Sequence, residues 1–442
     1  MTALWFETVL LSDGWASDVR LTLDGGRIAT VEAGVAPQAG DARGAIALPG
    51  MANLHSHAFQ RAMAGLAEAR SPAGEDFWSW REVMYHFVER LTPDDVEAIA
   101  AQAFAEMLEA GFTRVGEFHY LHNAPDGGAY ADPAEMSWRI VAAAQAAGLS
   151  LTLLPVFYAH GGFGGAPLGA RQRRFELDVD RFAALVTEVR ARGVEAGVAP
   201  HSLRAVTPDE LATILPLAVQ GPIHIHVAEQ TAEVEGCLAW SGARPVQWLL
   251  DHADVDRRWC LVHATHMDAS ETARLAASGA VAGLCPITEA NLGDGLFPAT
   301  AFLGAGGAFG VGSDSNVRID LTEELRLFEY GQRLMGRSRG VVGSGAELFK
   351  SALAGGARAL GQDTPSLAVG AVADIVELEA GHPSLSGRAG DALLDGWVFS
   401  GGQAAVRRVW TGGALQVDGG RHVRGEAIAD RYRRVLRDIL AR

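Results

Sequence analysis

The chain has 442 residues, of which 48% are hydrophobic and 20% charged, and its formal net charge is −16. Such a composition is typical of a globular protein with one large domain and a smaller companion. The acidic balance disfavours nucleic acid or an anionic membrane surface as the partner. No apolar run approaches the roughly 20 residues of a membrane span, and the start lacks the basic residues of a secretion signal. Three cysteines without Cys-x-x-Cys spacing predict reduced core thiols. We therefore expect a cytoplasmic protein.

Short strands separated by turns dominate both ends of the chain. Residues 3–47 contain apolar runs around the turn Asp24-Gly25-Gly26, and the same character returns at 370–378 and 407–417. We predict that residues 1–48 and 367–442 join into one small β-sandwich domain. A charged amphipathic helix over 427–440 is expected to pack against the rest of the protein.

Between these ends, short apolar runs alternate with Ala-rich helical stretches from Pro49 onward. This alternation predicts an α/β fold, and eight repeats over about 270 residues favour a TIM-like (β/α)8 barrel at 49–366. A doubly wound sheet is less favoured because no Gly-x-Gly-x-x-Gly follows the first strand. The predicted helices cover 93–110, 133–147 and 180–192. The predicted strands are 46–57, 112–119, 149–158, 195–202, 222–228, 259–265, 279–287 and 307–314.

Metal-ligating and acidic side chains stand where several predicted strands end. His55 and His57 end strand one, and their spacing aims both imidazoles to one side of a strand. His226 ends strand five and Asp314 ends strand eight. Functional groups of such barrels collect at the C-terminal strand ends. Three imidazoles and one carboxylate predict a mononuclear metal site that suits Zn²⁺ and leaves room for water.

Some strand ends offer two histidines, so a choice is needed. His226 is preferred over His224 because it lies nearer the rim and three residues before Glu229. On strand six, His263 ends the apolar run and is the better catalytic candidate, while His266 belongs to the following loop. A second metal is not expected, because two-metal sites in such barrels commonly use a bridging carboxylated lysine. The only lysine, Lys350, follows the predicted strands.

The pattern resembles the amidohydrolase superfamily: Pro49-Gly50 and His55-x-His57, then His226, His263 and Asp314, and a closing Gly-x-x-Ala-Asp-Ile-Val at 370–376. The spacing His226-x-x-Glu229 resembles the deaminase branch, whose acid protonates the nitrogen of a C=N substrate. Longer segments are similar to the formimidoylglutamate deiminases, namely 55–61, 116–122, 199–204, 285–295 and 329–332.

This resemblance implies the substrate N-formimidoyl-L-glutamate, a dicarboxylate intermediate of histidine breakdown. Two carboxylates call for cationic and preferably bidentate donors. Arg204 follows predicted strand four, and Arg81 lies in the region after strand one. Both match substrate-binding positions of that family. The other matching positions are Gln60, Tyr120 and His201.

The resemblance also implies hydrolysis to N-formyl-L-glutamate and ammonia by one zinc ion per chain. Zinc would activate a water molecule that attacks the amidine carbon. Glu229 would protonate the imino nitrogen, and His263 and Asp314 would position the water and relay protons. A nucleobase deaminase with the same metal groups is the alternative enzyme, and a metal-free barrel kept for assembly is a third, less favoured class. A homodimer is common in the superfamily.

Two loops leave their roles open. Glu289 and Asn291, after predicted strand seven, either shape the mouth of the site or make ordinary loop hydrogen bonds. The glycine-rich segment His160–Gly165 lacks the lysine of a phosphate-binding loop. We interpret it as a flexible loop that could cover the barrel mouth.

Overall fold

The computed structural model describes residues 2–68 and 77–442, apart from the side chains of residues 77 and 78. The strands before and within the barrel are β1 (Thr2–Leu11), β2 (Gly14–Asp24), β3 (Arg27–Glu32), β4 (Ala42–Pro49), β5 (Met51–Ser56), β6 (Phe112–His119), β7 (Ser150–Phe157), β8 (Ala199–Pro200), β9 (Ile223–Val227), β10 (Trp259–His263), β11 (Val281–Leu284) and β12 (Ala308–Val311). Beyond the barrel lie β13 (Ile375–Leu378), β14 (Val406–Thr411), β15 (Ala414–Asp418) and β16 (Arg421–His422).

The helices alternate with the central strands. They are α1 (Phe77–Val88), α2 (Pro93–Glu109), α3 (Glu135–Ala147), α4 (Val179–Ala191), α5 (Pro208–Ile214), α6 (Thr231–Ser241), α7 (Pro245–His252), α8 (Ala269–Ser278), α9 (Pro286–Leu292), α10 (Ala299–Gly304), α11 (Leu321–Gly336), α12 (Gly345–Ala359), α13 (Asp391–Gly396) and α14 (Gly425–Ala441). Local sequence determines where several of them start. At α2, the Thr92 hydroxyl accepts the Asp95 N–H and the Asp95 carboxylate accepts the Thr92 N–H, which is a capping box.

The two ends of the chain form one eight-stranded sheet in the order β16-β15-β14-β13-β4-β1-β2-β3. Strand β13 pairs with β4, so the C-terminal strands continue the N-terminal sheet. A separate apolar core that includes Phe6, Leu21 and Trp410 lies against this sheet. The prediction that both ends build one small β unit is confirmed.

Eight parallel strands form the barrel. They fall into two four-stranded sheets, β5-β6-β7-β8 and β9-β10-β11-β12. Parallel bridges join the sheets at both seams, between Ser56 and Asp314 and between Val198 and Ile223. The α/β barrel class is confirmed, and each predicted strand has a counterpart. Strand β8 is only two residues long, and its Pro200 lacks the N–H that would extend the ladder.

The first predicted strand, 46–57, is in fact two strands. Strand β4 belongs to the small sheet and β5 to the barrel, with Gly50 between them. A Cβ at Gly50 would come within 2.2 Å of the Thr113 side chain, which is closer than non-bonded atoms can approach. Glycine therefore lets the chain pass from one sheet into the other beside the second barrel strand.

The C-terminal helix α14 lies against the barrel helix α2. Arg431 pairs with Glu97 at 2.5 Å, and Arg442 pairs with Asp95 at 2.9 Å. The helix packs as expected, but part of its contact is with the barrel. The predicted domain boundaries, 1–48 with 367–442 and 49–366, stay a prediction. Among residues 2–68 and 77–442, no helix combines the length and apolarity needed to cross a bilayer.

Candidate metal and substrate site

Four predicted ligand groups converge at the C-terminal mouth of the barrel. The Nε2 atom of His55 lies 3.3 Å from Nε2 of His57 and 3.0 Å from Nε2 of His226. The Oδ1 atom of Asp314 lies 3.4 Å from Nε2 of His55 and 3.2 Å from Nε2 of His57. All four side chains are buried. This is a His₃Asp site compatible with a divalent metal ion.

The backbone of the first and last barrel strands brings these ligands together. The His57 N–H donates to the Asp314 carbonyl at 2.9 Å, and the Asp314 N–H donates to the His55 carbonyl at 3.0 Å. Gly312 permits this approach, because a Cβ there would lie 2.6 Å from the His55 carbonyl oxygen. The spacing of the ligands is therefore fixed by strand pairing.

A buried polar network supports the same seam. Asn53 Nδ2 donates to Ser313 Oγ at 2.6 Å, and Ser313 Oγ donates to Asn316 Oδ1 at 2.6 Å. Asn316 Nδ2 in turn donates to Ser56 Oγ at 3.1 Å. These hydrogen bonds hold the strand ends that carry His55, His57 and Asp314, as outer partners of metal ligands commonly do.

The hydrogen bonds of the imidazole rings test whether a cation fits. Nδ1 of His57 lies 2.9 Å from the Phe118 carbonyl, and Nδ1 of His226 lies 3.1 Å from the His201 carbonyl. A carbonyl only accepts, so both Nδ1 atoms carry protons. Burial, and to a lesser extent the neighbouring imidazoles, lowers the pKa of His55 and His226 well below the ordinary value. Neutral rings then turn Nε2 lone pairs toward one another, and a shared cation relieves that arrangement.

A second set of possible ligands, His263, Cys285 and Asp314, shares the carboxylate of the first. Burial raises the pKa of the Cys285 thiol well above its ordinary value, so the thiolate needed for metal binding is disfavoured. The lone lysine does not enter the site, because Lys350 is on the surface and pairs with Asp391 at 2.9 Å. The first set is therefore the better candidate for a metal site.

The predicted acid Glu229 and the predicted proton carrier His263 stand beside the ligands. Nε2 of His263 lies 3.8 Å from Glu229 Oε1 and 3.9 Å from Asp314 Oδ2. Burial raises the pKa of Glu229 to about 7, although His263 opposes the shift. Burial would lower the pKa of His263, but Glu229, Glu289 and Asp314 raise it to about 10. The structure thus holds a carboxyl with raised pKa beside an imidazolium.

Glu289, whose role the sequence left open, contacts a residue of the site. Its Oε1 atom lies 3.2 Å from Nδ1 of His263 and also accepts the Cys285 N–H at 3.0 Å. Glu289 therefore fixes the orientation of the His263 ring. Asn291 instead donates to Glu68 at 3.1 Å near the surface.

Left-handed backbone geometry clusters at these strand ends. The φ angles are 52° at Ala228, 67° at His263, 49° at Ala264, 43° at Asp314 and 55° at Asn316. Residues with a Cβ rarely adopt such angles, and the cost is on the order of 1–3 kcal/mol each. The surrounding hydrogen bonds maintain turns that aim His263 and Asp314 into the mouth.

The predicted substrate residues share one cavity with the metal ligands. Its volume is about 570 Å³ including the open mouth. Its polar lining includes Gln60, Arg81, Tyr85, Tyr120, Tyr158, His201, Arg204, Glu229 and His263. All five predicted substrate-binding residues therefore face the same space as the candidate metal site.

The two arginines have different surroundings in this cavity. Arg81 donates to the Tyr158 hydroxyl at 3.3 Å, and its guanidinium lies 5.2 Å from the Tyr85 ring centre. Arg204 makes no ion pair within residues 2–68 and 77–442, and its buried Nε atom has no hydrogen-bond partner there. An unsatisfied buried donor at a cavity wall is a position for an anionic ligand.

The neutral residues of the set complete the wall. Gln60 Nε2 donates to the Tyr120 hydroxyl at 2.8 Å, and the buried Gln60 Oε1 lacks a partner among the described residues. The His201 ring lies 5.0 Å from the His226 ring. Burial, followed by Arg204 and Arg81, lowers the pKa of His201 well below its ordinary value. Sequence reasoning missed Tyr85 and Tyr158, although Tyr158 follows a barrel strand directly and that position is a usable signal.

Three other histidines named in the sequence analysis have structural contacts. His224 lies deeper in the barrel, where its Nε2 is 2.6 Å from the Ala359 carbonyl, in agreement with the predicted structural role. His266 lies in the loop, and its N–H donates to the Ala228 carbonyl at 2.9 Å. In the glycine-rich loop, the His160 ring is 2.9 Å from Glu210. Whether that loop moves stays a prediction.

A model of the amidohydrolase family matches residues 46–415. A model described as the N-terminal domain of formimidoylglutamate deiminase HutF matches residues 1–45. The chain belongs to the amidohydrolase family, in the branch of the formimidoylglutamate deiminases. The predicted resemblance is thereby confirmed.

Individual relatives agree with this assignment. A formimidoylglutamate deiminase from Pseudomonas aeruginosa is 51% identical over 452 aligned positions, which cover 100% of each chain. The crystal structure of an amidohydrolase from Brucella melitensis is 53% identical, covers 100% of both chains and superposes with a TM-score of 0.96. An adenosine deaminase from Xanthomonas campestris with bound zinc is 21% identical, with a TM-score of 0.82 over 100% of this chain and 99% of that one. The last similarity concerns the fold alone.

Proposed function

We propose that this protein hydrolyses N-formimidoyl-L-glutamate to N-formyl-L-glutamate and ammonia, as a step of histidine degradation. The observation that carries the proposal is one cavity that joins a His₃Asp site, an acid with raised pKa and two arginines. The 51% identity to a deiminase of that name over the whole chain supports the same substrate. In this reaction the oxygen of water replaces the imino nitrogen, and both protons of water end on the departing ammonia.

One zinc ion per chain would be held by His55, His57, His226 and Asp314. Three imidazoles and one carboxylate suit zinc, which would still have room for one small molecule such as water. When bound, the ion makes water a nucleophile near neutral pH and acts as a Lewis acid.

The protein groups divide the proton transfers by position. Glu229, in its acid form, donates to the imino nitrogen as the amidine carbon becomes tetrahedral. Asp314 is the carboxylate of the ligand set and can act as the base, and Nε2 of His263 lies within 3.9 Å of both the Asp314 and the Glu229 carboxylates. Protons can therefore pass along this row toward the leaving ammonia. Glu289 orients His263 by its hydrogen bond to Nδ1.

Arg204 and Arg81 would bind the glutamate carboxylates, with Gln60, Tyr120 and His201 completing the wall. A guanidinium can contact a carboxylate at two points, which fixes the orientation of the substrate as well as its charge. When the arginines bind the glutamate carboxylates, the formimidoyl group of the substrate is directed to the deep end of the cavity. Removal of water around these charges strengthens the contacts.

The proposal extends to the setting of the enzyme. We expect a cytoplasmic homodimer that acts on a small dicarboxylate and does not bind nucleic acid. The buried, unpaired Cys237, Cys260 and Cys285 support a reducing compartment, and the net charge of −16 disfavours nucleic acid.

An ammonia-release screen tests the function directly. Metal-replete protein is incubated with N-formimidoyl-L-glutamate and, separately, with adenine, guanine, cytosine and their nucleosides. We expect rapid ammonia release from the amidine alone and one metal ion per chain by elemental analysis. Faster turnover of a nucleobase would replace the proposal with the alternative deaminase, and two tightly bound ions would contradict the mononuclear site.

A further inference from the structure

Tyr158 has a role that none of the predicted residues fills. It follows β7 directly, is 4% exposed and lines the cavity together with Arg81 and Arg204. Its ring centre lies 4.6 Å from that of His201. Tyr158 is therefore next to two of the predicted substrate-binding residues, Arg81 and His201.

The hydroxyl of Tyr158 accepts two hydrogen bonds. Arg81 Nη2 donates to it at 3.3 Å and Gln172 Nε2 donates at 2.7 Å. The direction of the second bond is fixed, because Gln172 Oε1 accepts the Gly169 N–H at 2.8 Å. The amide nitrogen must then face Tyr158. A guanidinium has only donors, so the first bond has a fixed direction too.

Because both hydrogen bonds are accepted by the phenolic oxygen, the phenolic proton is left to point into the cavity. A phenol has one O–H donor and its acceptor positions here are both in use. Among residues 2–68 and 77–442, no group accepts the Tyr158 proton. Arg81, which contacts the hydroxyl, and Arg204, which lines the same cavity, are donors as well. A buried donor beside a guanidinium, in a cavity lined by a second one, is matched to an anionic acceptor.

We propose that the Tyr158 hydroxyl determines specificity by donating its proton to one carboxylate of the substrate, beside Arg81 and in the cavity that Arg204 also lines. The inference rests on the proposed function, since it assigns a further contact to the dicarboxylate. Gln172 acts as the positioning residue, because its hydrogen bond holds the hydroxyl at the cavity wall. The contact would be charge-assisted, and losing such a bond typically weakens binding about 10- to 100-fold.

Binding of product-like ligands tests the contact without turnover. Dissociation constants are measured by calorimetry for N-formyl-L-glutamate, N-formyl-4-aminobutyrate and N-formyl-2-aminobutyrate, of which the last two each lack one carboxylate. Tyr158→Phe should weaken N-formyl-L-glutamate about 10- to 100-fold. It should weaken one monocarboxylate comparably and the other less than about twofold, because only one of them keeps the contacted group.

Gln172→Leu tests the positioning role of Gln172. It keeps the phenolic proton but removes the bond that positions it, so it should weaken the same two ligands as Tyr158→Phe by a smaller factor and leave the third nearly unchanged. Metal content and melting temperature are measured for both variants. An equal effect of Tyr158→Phe on all three ligands, or no effect on any, would overturn the proposal.

A second measurement does not depend on the folding of the phenylalanine variant. 3-Fluorotyrosine at position 158 is a stronger donor and a weaker acceptor when protonated. Below its ionisation pH it should tighten N-formyl-L-glutamate binding, whereas a purely accepting, structural tyrosine predicts weaker binding. Ammonia release by the wild type separately reports whether the proposed function holds.

Discussion

The cavity has two walls that differ in how fully their polar groups are hydrogen-bonded. The metal wall carries His55, His57, His226 and Asp314, and the substrate wall carries Gln60, Arg81, Tyr120, Tyr158, His201 and Arg204. On the metal wall, the His57 and His226 rings donate to backbone carbonyls, and strand pairing fixes Asp314 against His55. On the substrate wall, buried atoms of Gln60 and Arg204 lack partners among the described residues. Among the four ligand side chains of the first wall, only Nδ1 of His55 is buried without a partner in the described residues, while the second wall leaves both donors and acceptors for a ligand.

This difference indicates a division of work. Strand backbone sets the position of the reacting groups to within the tolerance that catalysis requires. Substrate selection depends on side chains whose hydrogen-bonding capacity stays open until a ligand arrives. Substitutions on the metal wall should therefore abolish chemistry, whereas substitutions on the substrate wall should change which molecule is accepted.

The largest effect is expected from Asp314→Ala on the metal wall. The change removes a ligand and a proton acceptor together, so metal content should fall and turnover should drop on the order of 10⁴-fold or more. Elemental analysis and ammonia release measure the two losses. Asp363→Ala, an exposed aspartate, serves as the control. Full activity with full metal content would contradict the ligand assignment.

Glu229→Gln should separate proton transfer from metal binding. The amide has the shape of the acid but cannot deliver a proton, so turnover should fall about 10²- to 10⁴-fold while metal content is unchanged. Glu235→Gln, on the exposed side of α6, provides the matched control. A loss well below tenfold would remove Glu229 from the role of principal acid.

Arg204→Met should change the substrate wall and leave the metal wall intact. Truncating one partner of a buried charged pair typically costs 2–5 kcal/mol, so kcat/KM should fall about 10²- to 10³-fold with zinc retained. Arg204→Lys should recover only part, because an ammonium cannot reproduce a two-point contact. Steady-state kinetics of both variants, with Arg339→Met as the exposed control, measure this effect. Normal kinetics of Arg204→Met and of the equivalent Arg81 variant would refute the carboxylate clamp.

The smallest effect is expected from Asn316→Ala, behind the metal wall. The Asn316 side chain makes no hydrogen bond to a proposed ligand side chain, but it joins Ser313 to Ser56. Outer partners of this kind typically change metal affinity about 10- to 100-fold. Competition with a chelator measures the affinity, and Asn291→Ala near the surface is the control. Unchanged affinity would show that strand pairing alone positions the ligands.

Much of the metal wall could be predicted because its signals are local. An apolar run that ends in His55-x-His57 predicts a strand, the position of its end and two candidate metal ligands. The same holds for His226 and Asp314. The prediction of a single strand over 46–57 was wrong, since one apolar run serves two sheets and the strand pairing shows the change at Gly50.

Less of the substrate wall could be predicted from residues alone. Gln60 and Arg81 lie far in sequence from Tyr120 and Tyr158, and their contacts depend on how the loops fold over the barrel. The resemblance to the deiminases predicted Arg81 as a substrate-binding residue. The direction of the Tyr158 phenolic proton, in contrast, can be deduced only from the orientation of the Gln172 amide. The network of Asn53, Ser313 and Asn316 was also missed, because such residues look like turn residues until strand register is known.

The most direct test compares kcat/KM for N-formimidoyl-L-glutamate with kcat/KM for formamidine, which keeps the amidine and lacks both carboxylates. Sites built to pair polar substrate groups can reject an analogue lacking them by ~10⁴–10⁵. We predict a preference of that order for the wild-type protein and a greatly reduced preference for Arg204→Met. Comparable turnover of the two compounds by the wild type would contradict the account, because the reacting group alone would then suffice.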